Sequence, residues 1–299
     1  MNARTWFVLL LVLTGCAAPA PVVPLSTELP TAAERSAESP LNQAATPTRI
    51  PLTNPTPAAV LELPEPTATA TPAPAPANLP LERLAILSPG PGSQVTSPFR
   101  VTGWGGPSLN ERVQLRLLGE DGRLLAQRAT YLQAIPGGTG RFSTELTFEI
   151  PGVGEAARLE VSTQDSRTAR LAHLSSLDLV VLSVGSALIH PALHGPEQIT
   201  ILSPRDGAVV RGGRFLVRAA GWSSRGSSLS VALFDRDGNP IASQQVALSA
   251  TQPGEVGAFE VDLAYAIPYE QYGRLAVYEP SPDGSGFLHY ASIEVYQRQ

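Results

Sequence analysis

The chain offers few residues with chemistry of their own. Cys16 is its single cysteine, so no internal disulfide can form, and its thiol stands alone as a nucleophile or acylation point. His190 and His194 have the i, i+4 spacing of a zinc-binding helix. Pro191 lies between them, Gly195-Pro196 follows, and no glutamate sits between the two, so the pair reads as loop histidines. Asp235-x-Asp237-Gly238-Asn239 resembles the start of a calcium loop. Its twelfth position is Val246 instead of a bidentate acid, which leaves a hairpin turn. No Gly-x-Ser-x-Gly elbow occurs, and a chain whose 21 basic residues are all arginine has no phosphate-loop lysine. No carboxylate pair is singled out for glycoside hydrolysis. Trp104 and Trp222 follow glycine at matched places, as core plugs or as stacking platforms for sugar rings. Tyr269 and Tyr272 are the candidate partner contacts; Tyr272 is also placed to be a tyrosine corner bonding back to the main chain. These residues indicate no cofactor, no metal and no catalytic machinery.

The segments that carry these residues differ sharply. Trp6 to Leu13 is uninterruptedly apolar after Arg4. As a helix these eight residues reach about 12 Å against a hydrocarbon core of about 30 Å. They are too short to span a membrane but fit the apolar region of a secretory signal. Leu13-Thr14-Gly15-Cys16 then resembles the lipobox of bacterial lipoproteins. That resemblance implies cleavage before Cys16, diacylglycerol on its sulfur, further acylation of the new amino terminus, and residence on the extracytoplasmic side of a bacterial membrane. Two or three fatty chains bind a bilayer stably where one does so marginally. Residues 1–15 are thus read as the signal peptide and residues 16–80 as a lipidated start with a disordered linker. Ala, Pro and Thr dominate the linker, which has no Phe, Trp or Tyr. It has too little apolar surface to offset its ordering entropy. Fully extended it would reach on the order of 200 Å at about 3.1 Å per residue.

The remainder repeats. Ile86-Leu87-Ser88-Pro89 returns as Ile201-Leu202-Ser203-Pro204, Gly103-Trp104 as Gly221-Trp222, Asp121-Gly122 as Asp237-Gly238, and Ile150-Pro151 as Ile267-Pro268. The offset stays between 115 and 118, which predicts two tandem domains of one fold, residues 81–184 and 199–299. Residues 185–198, broken by Pro191 and Pro196, should restrict the domains without fusing them. Each copy alternates with period two, as in Val113-Gln114-Leu115-Arg116-Leu117 and Phe259-Glu260-Val261-Asp262-Leu263, and Asp-Gly turns join such runs. About seven short strands per copy, with no helix beyond residue 20, predict an all-β chain of two tandem immunoglobulin-like β-sandwiches.

The second copy, residues 199 to 297, resembles the immunoglobulin-like domain of bacterial spore germination. Ile201-Leu202-Ser203-Pro204 with Gly207, the Phe215-to-Gly221 strand, Val231-Ala232-Leu233-Phe234-Asp235, and the late Glu279 with Ser281, Asp283 and Gly284 carry the likeness. The first copy fits less fully: residues 161–167 lack the late acidic motif, and Gly119 stands where Asp235 would be. The resemblance implies an envelope lipoprotein and supplies no catalytic residues.

A net charge of −5 with interspersed signs argues against a nucleic-acid partner. The expected partners are the membrane, through covalent lipid, and a protein or cell-wall polymer docking near Tyr269. The expected role is non-catalytic binding in the envelope. A passive spacer, or an extracytoplasmic enzyme, is the alternative.

Overall fold

The structure is a computed structural model. It describes residues 71–299 apart from 74–76, 193–194, 196, 251 and 285, and of 71–73 only the backbone. The expected signal peptide, Cys16 and the linker up to residue 70 lie outside the described residues. No described helix is long and apolar enough to cross a membrane.

Seventeen strands are formed among the described residues. β1 (Thr71–Ala73) comes first. The first half then contains β2 (Leu84–Ser88), β3 (Gln94–Thr96), β4 (Phe99–Gly105), β5 (Arg112–Gly119), β6 (Leu124–Tyr131), β7 (Gly140–Leu146), β8 (Gly154–Gln164) and β9 (Leu171–Leu182). The second half contains β10 (Ile199–Ser203), β11 (Ala208–Val210), β12 (Arg214–Gly221), β13 (Ser228–Phe234), β14 (Pro240–Ala247), β15 (Gly257–Ala264), β16 (Gln271–Pro280) and β17 (Phe287–Gln297). The strand missed in each copy is the three-residue β3 or β11, too short to show alternation. Each runs parallel to the last strand of its half.

Alternation places the cores. Val113, Leu115 and Leu117 of β5 are fully buried in the first, beside Phe142, Leu159 and Val161. Leu229, Val231 and Leu233 of β13 are fully buried in the second, beside Phe259, Val261 and Leu275. Both Asp-Gly turns form as expected: Gly122 and Gly238 have φ of 79° and 90°, Asp121 accepts the Arg123 N–H, and in the second turn the acceptor is Asp235, two residues before Asp237. Asp235 in particular accepts the Asp237 and Asn239 N–H groups, both at 2.8 Å, so its carboxylate serves its own turn.

Each half packs a small sheet, β2-β4-β7 in the first and β10-β12-β15 with β1 at its edge in the second, against a second sheet. The second sheets are not separate. The order β14-β13-β16-β17-β9-β8-β5-β6 runs through both halves, because β17 pairs antiparallel with β9 at Tyr290–Leu174 and Ala291–His173. The expectation of two unfused domains is therefore corrected. The unsatisfied outer edges of β9 and β17 pair with each other, which alternation within each copy cannot reveal.

Side chains lock this joint. Arg274 of β16, almost wholly buried, reaches Asp165 at 3.4 Å and the Thr168 hydroxyl at 3.2 Å. Arg158 of β8 donates to the Ser281 hydroxyl at 2.7 Å, and the Ser292 hydroxyl donates to the Leu171 carbonyl at 2.8 Å. Residues 185–198 are a strap rather than a free connection. Gln94 and Leu188 exchange main-chain bonds, and the Ala192 N–H donates to Leu87. The end of the expected linker is structured too. β1 pairs antiparallel with β15, and the Glu197 N–H donates to the Pro80 carbonyl at 2.8 Å.

One continuous sheet predicts one cooperative unfolding transition for the two cores. Arg274→Met removes the buried guanidinium that ties Asp165, Thr168 and Ser292 together; Asp165, only partly buried, keeps Arg167 nearby, so the cost is about 1–3 kcal/mol. Denaturant titration should show a single transition at a lower midpoint; two separated transitions in the parent chain would contradict the joint.

Candidate functional site

Two features stand out: the joint itself and a tyrosine-lined cleft on the second half. At the joint Glu82, His173, Glu197 and His289 converge on a cavity of about 20 Å³ behind the β9–β17 pairing, a size that accommodates about one water. His173 Nδ1 lies 3.6 Å from Glu197, whose other oxygen accepts the Arg83 N–H at 3.2 Å. Burial pushes the Glu197 carboxyl up to about 7, against the opposing pull of Arg83, and burial with the nearby Glu197 lifts Glu82 to about 7. Burial, with the charges of Arg83 and Arg274, drives His173 down to about 3; burial and Arg158 do the same to His289. Both shifts favour a neutral histidine beside a protonated acid over an ion pair. Among the described residues no group of three or more His, Cys, Asp or Glu is disposed to hold a metal ion.

Asp165, facing the joint from the other side, behaves oppositely. Burial alone would raise its carboxyl. The N–H groups of Thr168 and Arg167 and the charge of Arg274 outweigh that and hold it below the usual range.

The second feature surrounds the expected contact residues. Tyr269 and Tyr272 are 53% and 58% exposed and border a cleft of about 580 Å³ that also includes Arg170, Arg236 and Tyr296. Tyr272 and Tyr296 are cross-strand partners on β16 and β17, with ring centres 4.9 Å apart, edge to face. Glu270 accepts from Arg298 at 2.8 Å and from the Tyr296 hydroxyl at 3.3 Å; the Arg298 bond keeps its carboxyl below the usual range.

The tyrosine-corner alternative for Tyr272 is corrected, since its ring stands in solvent. Tyr265 makes such a bond instead: it is buried, its ring meets Phe215 edge to face at 5.7 Å, and its hydroxyl donates to the Arg298 carbonyl at 2.7 Å. The signal was present in the sequence, because Tyr265 continues the inward phase of Phe259, Val261 and Leu263, and a buried phenol needs a partner.

The core reading of the tryptophans is also corrected. Phe99, Val101 and Gly103 point inward on β4, so Trp104 points outward and is half-buried. Gly103 is required there because a Cβ would strike the Phe142 ring at 2.2 Å. Trp222 follows inward-facing Val217, Ala219 and Gly221 and is likewise outside the core, half-buried beside His289 at 6.0 Å between ring centres. His190 lies on the strap, where its carbonyl accepts the Gly90 N–H; His194 lies outside the described residues.

Residues 83–169 match the immunoglobulin-like domain of bacterial spore germination. The match falls on the first half, whereas the sequence resemblance was drawn chiefly on the second. No curated protein matches the chain. Among solved structures, a transglutaminase from red sea bream is similar at 9% identity with a TM-score of 0.28, over 73% of this chain and 31% of that one, so the chain spans about a third of its length. The CBD12 region of CALX1.2 is similar at 14% identity with a TM-score of 0.21, over 66% of this chain and 81% of that one. A chimeric titin Z1Z2 tandem is similar at 13% identity with a TM-score of 0.21, over 72% and 99%. Together with the all-β architecture, the family match marks residues 83–169 as an immunoglobulin-like type of domain.

The joint makes a pH-dependent claim. An unfolded Glu197 releases its proton near 4.5, the folded one near 7, so its contribution falls as pH rises from 4.5 to 7. Glu197→Gln should match the parent below pH 4.5 and exceed it above pH 7 by at most about 3 kcal/mol. Denaturant midpoints between pH 4 and 8 measure this; a variant weaker at every pH would mean that Glu197 serves as an ionised partner of His173.

Proposed function

We propose that this chain is a non-catalytic binding module of the bacterial envelope. In this reading it is held outside the membrane by lipid on Cys16 and docks a protein or cell-wall polymer at the tyrosine-lined cleft of its second half. The observation that carries the binding role is the cluster of Tyr269, Tyr272 and Tyr296 around a cleft flanked by Arg170 and Arg236. Rigid aromatic rings offer large contact area at low entropic cost, and arginines add directional hydrogen bonds, which is the composition of recognition surfaces. The second half is read as a further copy of the matched family, since its strands β10 to β17 repeat the pairings of β2 to β9.

The membrane part rests on Leu13-Thr14-Gly15-Cys16. A passive spacer is the second reading, supported by the continuous sheet, which gives a stiff body without requiring a ligand. In that case both halves could be replaced by unrelated sandwiches without loss.

Two experiments separate these readings. Cys16→Ser should move the protein from the membrane fraction to the soluble fraction and abolish incorporation of labelled fatty acid; unchanged membrane retention would remove the lipid from the proposal. The Tyr269→Ala, Tyr272→Ala double variant should lose at least one partner from crosslinked envelopes while losing no more than about 1.5 kcal/mol of stability, the scale of the Tyr272–Tyr296 ring contact. An unaltered partner profile would favour the spacer.

A further inference from the structure

A separate cleft of about 350 Å³ opens beside the joint, on walls supplied by both halves. This is near the lower end of small-molecule sites, about 300–1,000 Å³. Its aromatic wall is Trp222. The Trp222 N–H donates to the Gln198 carbonyl at 3.0 Å, extending the register in which Ile199 faces Gly221. Gln198 and Trp222 are thus cross-strand neighbours whose side chains share a face. Gln198 lines both this cleft and the small cavity behind it, is 93% buried (7% exposed), and its Nε2 has no hydrogen-bond partner among the described residues. That nitrogen is itself shielded from solvent, so Gln198 forms the partition between cleft and cavity.

The loop beyond Trp222 is held in place. Buried Glu279 accepts from the Ser223 hydroxyl at 2.7 Å, the Ser224 hydroxyl at 3.0 Å and the Arg225 N–H at 3.3 Å. This fixes Arg225, whose guanidinium crosses to Asp178 of β9 at 3.2 Å. Asp178 also holds Arg158 at 3.7 Å, and Glu279 behind the loop and Glu82 at the rim keep the acids here no fewer than the arginines. His289, beside the indole, is kept neutral by burial. No unmatched positive charge is left to call for an anion.

We propose that this interdomain cleft binds a neutral pyranose residue of a glycan, with the sugar ring against Trp222 and its hydroxyls bonded to the Arg225–Asp178 pair. A flat indole edged by planar guanidinium and carboxylate groups suits a ring with an apolar face and a hydroxylated perimeter. A peptide would offer no such ring, and a charged sugar would face groups that already neutralise each other. The cleft is distinct from the tyrosine-lined one and does not depend on it.

The test is isothermal titration of the full-length protein with chitotriose, cellotriose and maltotriose. At least one should bind, and Trp222→Ala should weaken it by about tenfold or more, the scale of one aromatic contact. Trp104→Ala and Tyr269→Ala should leave it unchanged. Circular dichroism melts identify any variant that fails to fold, and Trp222→Phe, which keeps a ring, should retain part of the affinity. Failure of all three probes, binding that survives Trp222→Ala in a folded protein, or tighter binding of trigalacturonate than of any neutral trisaccharide would overturn the proposal.

Discussion

The two-residue pairing of β9 with β17 sets the character of this molecule. Each is the last strand of its half; short parallel strands β3 and β11 cover one end of each outer edge, and the remainder would otherwise present unpaired N–H and C=O groups to water or to another chain. By pairing with each other they remove both edges at once and turn two sandwiches into one sheet of ten strands, counting the short parallel β3 and β11. The small cavity with its two acids and two histidines, the strap of residues 185–198, and the cleft beside Trp222 all exist because the halves meet along this line. A hinge at the same place would leave none of them with a fixed geometry.

Charge placement follows from the joint. Arg274, Arg158 and Arg225 each reach from one half to the other, to Asp165, Ser281 and Asp178. The late motif of the second copy thereby gains a physical meaning. Glu279 ties down the loop after Trp222, and Ser281 receives Arg158 from across the joint. The first copy lacks that motif and ties its corresponding loop differently: the Ser108 hydroxyl donates to the Arg112 carbonyl and accepts the Gln164 N–H at 3.3 Å. Both copies nevertheless hold the other half through the loop before their last strand, Asp165 and Thr168 taking Arg274 and Ser281 taking Arg158.

Most of the architecture was legible in the sequence because it rests on local regularities. Val113, Leu115 and Leu117, or Phe259, Val261 and Leu263, announce an inward face by period two alone, and the Asp-Gly turns announce their hairpins. The fusion of the halves was not legible, since nothing in the residues of β9 distinguishes an edge that meets water from one that meets β17. Trp104 and Trp222 were misread because composition favours a buried indole, although strict alternation from Phe99 or Val217 already turned them outward. The exposure of Tyr269 was foreseeable from its place between strands. Its neighbourhood was not: Tyr296 and Arg170 come from distant parts of the chain. The buried histidines His173 and His289 carried no signal, being single residues in otherwise ordinary strands.

The Pro80 carbonyl meets the Glu197 N–H, while β1, earlier in the chain, lies along β15 of the second half. Force applied to the chain ahead of residue 71 would therefore load the β1–β15 ladder before any of it reached Pro80, and that short ladder would be the first part to yield.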